Sequence, residues 1–272
     1  MSTDIRAAFI SLEQLRWSQF LTVTGGGGVS NYSVAPFLWV VFFKVDRDSL
    51  FGECVFTPGD HRDLGVSDVE PGSIISIPDL LGAASLSLAP IELFNGKVVS
   101  PTFGVVAVLM RDGGHVTAHG ISAGHDALNF GVRGVIEGLA NISISQGSPV
   151  TDQQIASAVM TSNLAQKVTD AVRNAQSFWE NLWAWSGADS EIDHAICTWS
   201  MDEFANPSET KSISMQFRQS QWSSWTIDGS VTVVDACPAS SSATTLDRAL
   251  AQLAAERGSK SRRQEHVLSP LT

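Results

Sequence analysis

Phe37-Leu38-Trp39-Val40-Val41-Phe42-Phe43 is an unbroken apolar run, aromatic or β-branched at every position except Leu38. It is far shorter than the roughly 20 residues a membrane-spanning helix needs. It also lacks the polar alternation of a strand with one wet face. It therefore predicts a strand buried on both faces, at the centre of a layered β fold. Lys44-Val45-Asp46-Arg47-Asp48 follows as a polar turn, and residues 50–56 read as the returning strand of a hairpin.

Working outward, residues 5–15 read as a first strand, followed by four glycines at 25–28. No Lys-Ser/Thr follows these glycines, so they are a flexible loop and not a phosphate loop. Residues 57–73 are rich in Pro, Gly and Asp and predict turns. Residues 73–77 form a short strand closed by Pro78. Residues 86–93 and 98–110 are joined by Asn95-Gly96, whose tolerance of positive φ predicts a hairpin between them.

The period then changes. Leu128, Val132, Val135, Ile136 and Leu139 recur at helical spacing over about residues 124–142, and Gly131, Gly134 and Gly138 suggest close packing. Thr151 with Gln154 forms a capping box. Behind it, Ile155, Val159, Leu164, Val168 and Val172 extend a second helix to about Trp185. Strands resume at 194–201, 212–218 and 222–234, with Asp228-Gly229 as a bulge or turn signal. Residues 238–243 form a Pro/Ala/Ser linker. Leu246, Leu250 and Leu253 line a short amphipathic helix ended by Gly258. The expected class is α+β: an antiparallel β-sandwich-like core with a pair of α-helices inserted at about 122–186, then a C-terminal amphipathic helix and tail. Residues 1–237 form a single β-rich domain on this reading, and 238–272 a linker, helix and flexible tail.

Composition narrows the function classes. Of 272 residues, 43% are hydrophobic and 17% charged, which describes a packed soluble globule. The net charge is −11, and no basic stripe runs through the body, which argues against nucleic acid. Residues 238–272 hold five Lys and Arg against three Asp and Glu, leaving 12 basic and 25 acidic residues in the body. Cys54, Cys197 and Cys237 form no C-x-x-C pair and no disulfide framework. The first residues carry no secretory pattern, so the expected compartment is cytoplasmic, with signal-less export left open.

Five candidate sites compete with plainer readings. Asp60, Asp63, Asp68 and Glu70, joined by Asp46 and Asp48 from the preceding turn, supply the hard oxygen ligands Ca²⁺ requires. The plainer reading is a solvated loop whose Asp residues cap turns. His115 and His119 have His-x-x-x-His spacing but lie in a Gly-rich loop without a catalytic Glu, and Asp126 beside His125 complements a helix start. Cys197 follows His194 on the opposite face of a strand, which reads as a structural thiol. Trp179, Trp183 and Trp185 crowd the end of the second helix, with Trp199, Trp222 and Trp225 on later strands; these are sugar, partner or membrane-interface platforms, or core. The Leu246, Leu250 and Leu253 face is a docking element or a loose terminus.

Ala35-Pro36-Phe37-Leu38-Trp39-Val40, after a first strand and loop and before acidic turns, resembles the corresponding strand of C2-like sandwiches over about 60 residues. The resemblance implies a calcium-binding end. Here Ala35 replaces the acidic residue before Pro36, and the first loop is glycine where that family has aspartate, so such a site would be incomplete. No catalytic motif is complete. The leading expectation is a non-catalytic binding or assembly module with a protein partner, acting through the Trp-rich helices and tail. The alternatives are a toxin-like protein whose helices rearrange at a membrane surface without spanning it, and a metal-dependent hydrolase using Asp60, His61, Asp63 and His115 or His119.

Overall fold

The computed structural model describes residues 5–20, 35–49, 52–58, 64–66, 69–93, 95–112, 118–149, 154, 158, 193–206, 208–220 and 223–236. The chain divides into two compact units, Met1–Asp235 and Ala236–Thr272, and the account below concerns the first. In chain order it contains β1 (Arg6–Phe20), β2 (Ala35–Val45), β3 (Glu53–Phe56), β4 (Ile74–Ser76), α1 (Asp79–Gly82), β5 (Ala83–Leu88), β6 (Ile91–Glu92), β7 (Val98–Val99) and β8 (Thr102–Asp112). Next come α2 (Ala118–Gln146), β9 (Asp193–Ser200), a 3₁₀ turn at Met201–Glu203, β10 (Glu209–Ser220) and β11 (Ser223–Asp235). The fold is strand-rich α+β with antiparallel sheets.

One sheet has the order β10-β11-β1-β4, with β5 also pairing with β1, and a second has the order β3-β2-β8-β9. The β2 run lies in the interior of the second sheet and is buried over Pro36–Val45. Its parity assigns two cores. Leu38, Val40 and Phe42 join Phe103, Val105 and Ala107 of β8 and residues of the first sheet, including Ile10, Leu15, Met215 and Ile227. Phe37, Trp39, Val41 and Phe43 face the other way, toward Leu128, Val132, Ile136 and Leu139 of α2. Both-face burial explains the missing alternation.

β1 needs one irregularity to line its core. Leu12 pairs with Gly229 and Gln14 with Asp228, so Glu13 is an extra residue on β1. The bulge switches the inward positions from Ala8, Ile10 and Leu12 to Leu15 and Trp17. Asp228-Gly229 thus marks a bulge carried by the strand opposite it. A Cβ at Gly229 would strike the Ser11 carbonyl, so the tight approach requires glycine. Trp17 and Trp225 pair across the two strands and stack with centroids 4.7 Å apart.

Three expectations are corrected. Asn95-Gly96 does make a turn, with Gly96 at φ 81° and Leu93 N–H donating to the Lys97 carbonyl at 2.9 Å, but the hairpin is only Ile91–Glu92 with Val98–Val99. The flanking runs go elsewhere: β5 pairs with β1, and β8 with β2 and β9. Long-range burial outweighs the local turn. The inserted helix begins at Ala118, so His119 lies in its first turn and Asp126 lies well inside it; no acidic residue occupies the first turn. Gly134 and Gly138 are exposed, and a Cβ at either meets nothing within 4 Å among the described residues, so neither marks close packing there. The buried stripe of that helix is as expected, from Leu128 to Leu139. Of the second helix, only Gln154 and Ala158 lie among the described residues; both are helical, and Ala158 packs against the helix-side core.

Candidate functional site

β2 continues its inward parity past Phe42 to Lys44 and Asp46, and this places two charges at the end of the core shared by the two sheets. Lys44 is 6% exposed and Asp46 fully buried. The Asp46 carboxylate is saturated. Oδ1 accepts from the Ser49 N–H at 2.9 Å and the Ser49 hydroxyl at 2.6 Å. Oδ2 accepts from the Ala89 N–H at 3.1 Å and from Lys44 Nζ at 3.2 Å. Lys44 Nζ also donates to the Ser87 carbonyl at 2.9 Å and meets Glu53 Oε2 at 3.1 Å, so its three donors are engaged. Ser87 and Ala89 belong to the β5 side of the first sheet, and Lys44, Asp46 and Glu53 to the β2–β3 side of the second. The cluster is a clamp between sheets.

Burial alone would lower the Lys44 pKa, but the Asp46 charge and the hydrogen bonds to Glu53 and Asp46 outweigh it and hold the amine above its ordinary range. An amine held protonated is a poor nucleophile, and a carboxylate with four donors has no lone pair turned to solvent. Cys54 on β3 is likewise quiet: burial pushes its thiol up to about 12, with Arg133 offsetting only part of this. A neutral thiol does not attack. The same turn shows why Gly52 stands there, since its φ is 78° and a Cβ would collide with Ile136 of α2.

The proposed calcium set divides. Asp46 serves the clamp, Asp48 is exposed and paired with Arg47 Nε at 3.2 Å, and Glu70 is exposed at a turn. Asp60, His61, Asp63 and Asp68 lie outside the described residues. Among the described residues, no three His, Cys, Asp or Glu side chains come together as a metal set. His115 also lies outside them, as do Trp179, Trp183, Trp185 and Trp222, and Leu246, Leu250 and Leu253. Cys197 packs against the inter-sheet core, while its strand neighbour Ile196 faces the helix-side core. His194 shares Ile196's parity, so it lies on the face opposite Cys197. Trp199 and Trp225 are core residues, at 8% and 2% exposure, not exposed platforms.

The helix-side core contains a second polar group. His125 of α2 lies 5.6 Å from the Trp39 ring, with Asn129 Nδ2 3.4 Å from its Nδ1. Among the described residues, Trp39 Nε1 and Asn129 Oδ1 are buried with no hydrogen-bond partner. Nothing in the sequence flagged this pair. Above them, the outward face of α2 carries Phe130, 82% exposed, along with Arg133, Gly134, Glu137 and Gly138. No helix among the described residues is long and apolar enough to cross a membrane.

No protein-family model matches this chain, and no curated protein or solved structure does so either. The likeness of residues 35–40 to a C2-type strand gains no support from these comparisons.

Proposed function

We propose that this chain is a non-catalytic binding or assembly module: two sheets closed into a sandwich that presents its helical insertion to a protein partner. The observation carrying this reading is the contrast between spent and unspent groups. The buried charges of Lys44 and Asp46 are consumed by internal partners, whereas α2 holds Phe130 at 82% exposure on the face turned from its core. An exposed ring offers apolar area for a partner to bury. Trp179, Trp183 and Trp185, and separately Leu246, Leu250 and Leu253, are the further contact residues this reading proposes from the sequence.

The rival is a metal-dependent hydrolase built on the acidic loop. A thermal melt in EDTA, then with Ca²⁺ and with Zn²⁺, separates the two readings. An ion at 100 times its Kd adds about 2.7 kcal/mol of stability. The binding-module reading expects no rise with Zn²⁺, and a rise with Ca²⁺ alone would make the acidic loop a calcium site of the module. A rise with Zn²⁺, lost in Asp60→Asn and Asp63→Asn, would favour the hydrolase instead.

A further inference from the structure

The Asn95-Gly96 turn carries a reaction as well as a change of direction. An asparagine side chain can be attacked by the backbone nitrogen of the next residue, and glycine there obstructs the attack least. Gly96 N loses its proton to base and bonds to Asn95 Cγ, while the Cγ–Nδ2 bond breaks and ammonia leaves. Water then opens the cyclic imide at either carbonyl, leaving aspartate or isoaspartate at position 95. No oxidant, reductant or cofactor is needed. Asn95 and Gly96 are both exposed, and a Cβ at Gly96 would meet nothing within 4 Å among the described residues. Water and base therefore reach the site.

The folded turn nevertheless occupies both reacting groups. Gly96 N–H donates to the Leu93 carbonyl at 2.9 Å, and Asn95 Oδ1 accepts from the Lys97 N–H at 3.0 Å. The nitrogen must give up a proton that is already bound, and Cγ must turn while its oxygen is tethered. Both bonds have to open first. What holds them closed is the seat of the hairpin. Ile91 and Val99 are buried in the helix-side core, and Leu93 packs against it. Just past the end of α2, Gly147 stands at φ 62°, and a Cβ there would lie 2.9 Å from Leu93 Cδ1 and 3.7 Å from Lys97 Nζ. The last turn of α2 has no basic residue of its own, so Lys97 supplies the cation beside the negative end of that helix.

We infer that Asn95 is a deamidation site gated by the β6–β7 hairpin. It is held unreactive while the hairpin is seated against α2, and reaction after an opening loosens that end of the helix irreversibly. A carboxylate at position 95 draws the Lys97 ammonium off the helix end. An isoaspartyl link adds a methylene to the backbone and shifts Lys97 out of register. The inference stands apart from the binding-module reading and needs no partner.

The full chain, aged at mildly alkaline pH and digested, should show Asn95 exchanging NH₂ for OH by mass. The folded chain should react at least about tenfold more slowly than the same chain aged in guanidinium chloride. Gly147→Ala lies far from the turn in sequence and leaves the unfolded rate alone, yet its Cβ displaces Leu93, so the native rate should rise toward the unfolded one. Should that variant fail to fold, Leu93→Val trims the same contact and is expected to move the rate in the same direction. Asn95→Asp should speed hydrogen exchange in the last turn of α2 and leave β1 and β11 unchanged. Equal rates in folded and unfolded chains overturn the gating, and so does a native rate that neither variant raises. An Asn95 that stays intact even in guanidinium chloride overturns the site itself. Unchanged exchange in α2 of Asn95→Asp overturns the coupling to the helix.

Discussion

The two faces of the second sheet have been finished differently. The inter-sheet face is closed at its end by charges that satisfy one another, and its rings stack, as Trp17 does on Trp225. The helix-side face is covered by α2, which leaves Phe130 exposed and, among the described residues, Gly134 and Gly138 uncovered. A face built from strand pairings across the whole chain is sealed. A face covered by one inserted helix keeps slack, and that slack is where a contact surface can be kept at little cost to the fold.

The comparison can be broken most severely at the clamp. Lys44→Met leaves the buried Asp46 without its cation and should cost about 3–5 kcal/mol, read as a lower urea midpoint. A loss below about 1 kcal/mol, typical of exposed pairs such as Arg16 with Asp228, would show that the clamp does not seal the sheets. On the helix side, Leu128→Ala removes a fully buried side chain and should cost about 2–5 kcal/mol. Hydrogen exchange should place its effect mainly in α2, with β1 and β11 protected as before. Equal loosening of both cores would erase the distinction.

The smallest effect is the response to alkali. Among the described residues, Lys44 and Cys54 have folded pKa values above their ordinary ones of 10.5 and 9.0. Each therefore contributes stability that is fully present below its ordinary pKa and lost as pH rises through the folded one. Stability should be level up to about pH 9 and fall beyond it, with Cys54→Ala softening the first part of the fall and Lys44→Met the later part. A fall beginning near neutrality would point to other groups.

Much of this was legible beforehand. The β2 run, the buried stripe of α2 and the strands at β9 to β11 all rest on local pattern. The pairing of β5 with β1 was not legible, because Asn95-Gly96 advertises a hairpin and nothing nearby advertises the distant strand. Lys44 and Asp46 looked like a turn because their type is polar. Their parity with Leu38, Val40 and Phe42 was the signal that they point inward. Gly134 and Gly138 misled for the opposite reason, since spacing cannot say which side of a helix has a neighbour.

By itself, the sequence determined where the strands and the inserted helix run and which of their positions seek burial, because side-chain period follows from backbone geometry within a few residues. Tertiary structure alone decided which strands pair, that Glu13 bulges to turn Leu15 and Trp17 inward, that Asp46 is shut away with Lys44, and that the glycine face of α2 is left open. Those outcomes depend on free energies gained between segments up to about two hundred residues apart, such as Arg6 with Asp235, and no local window contains both partners.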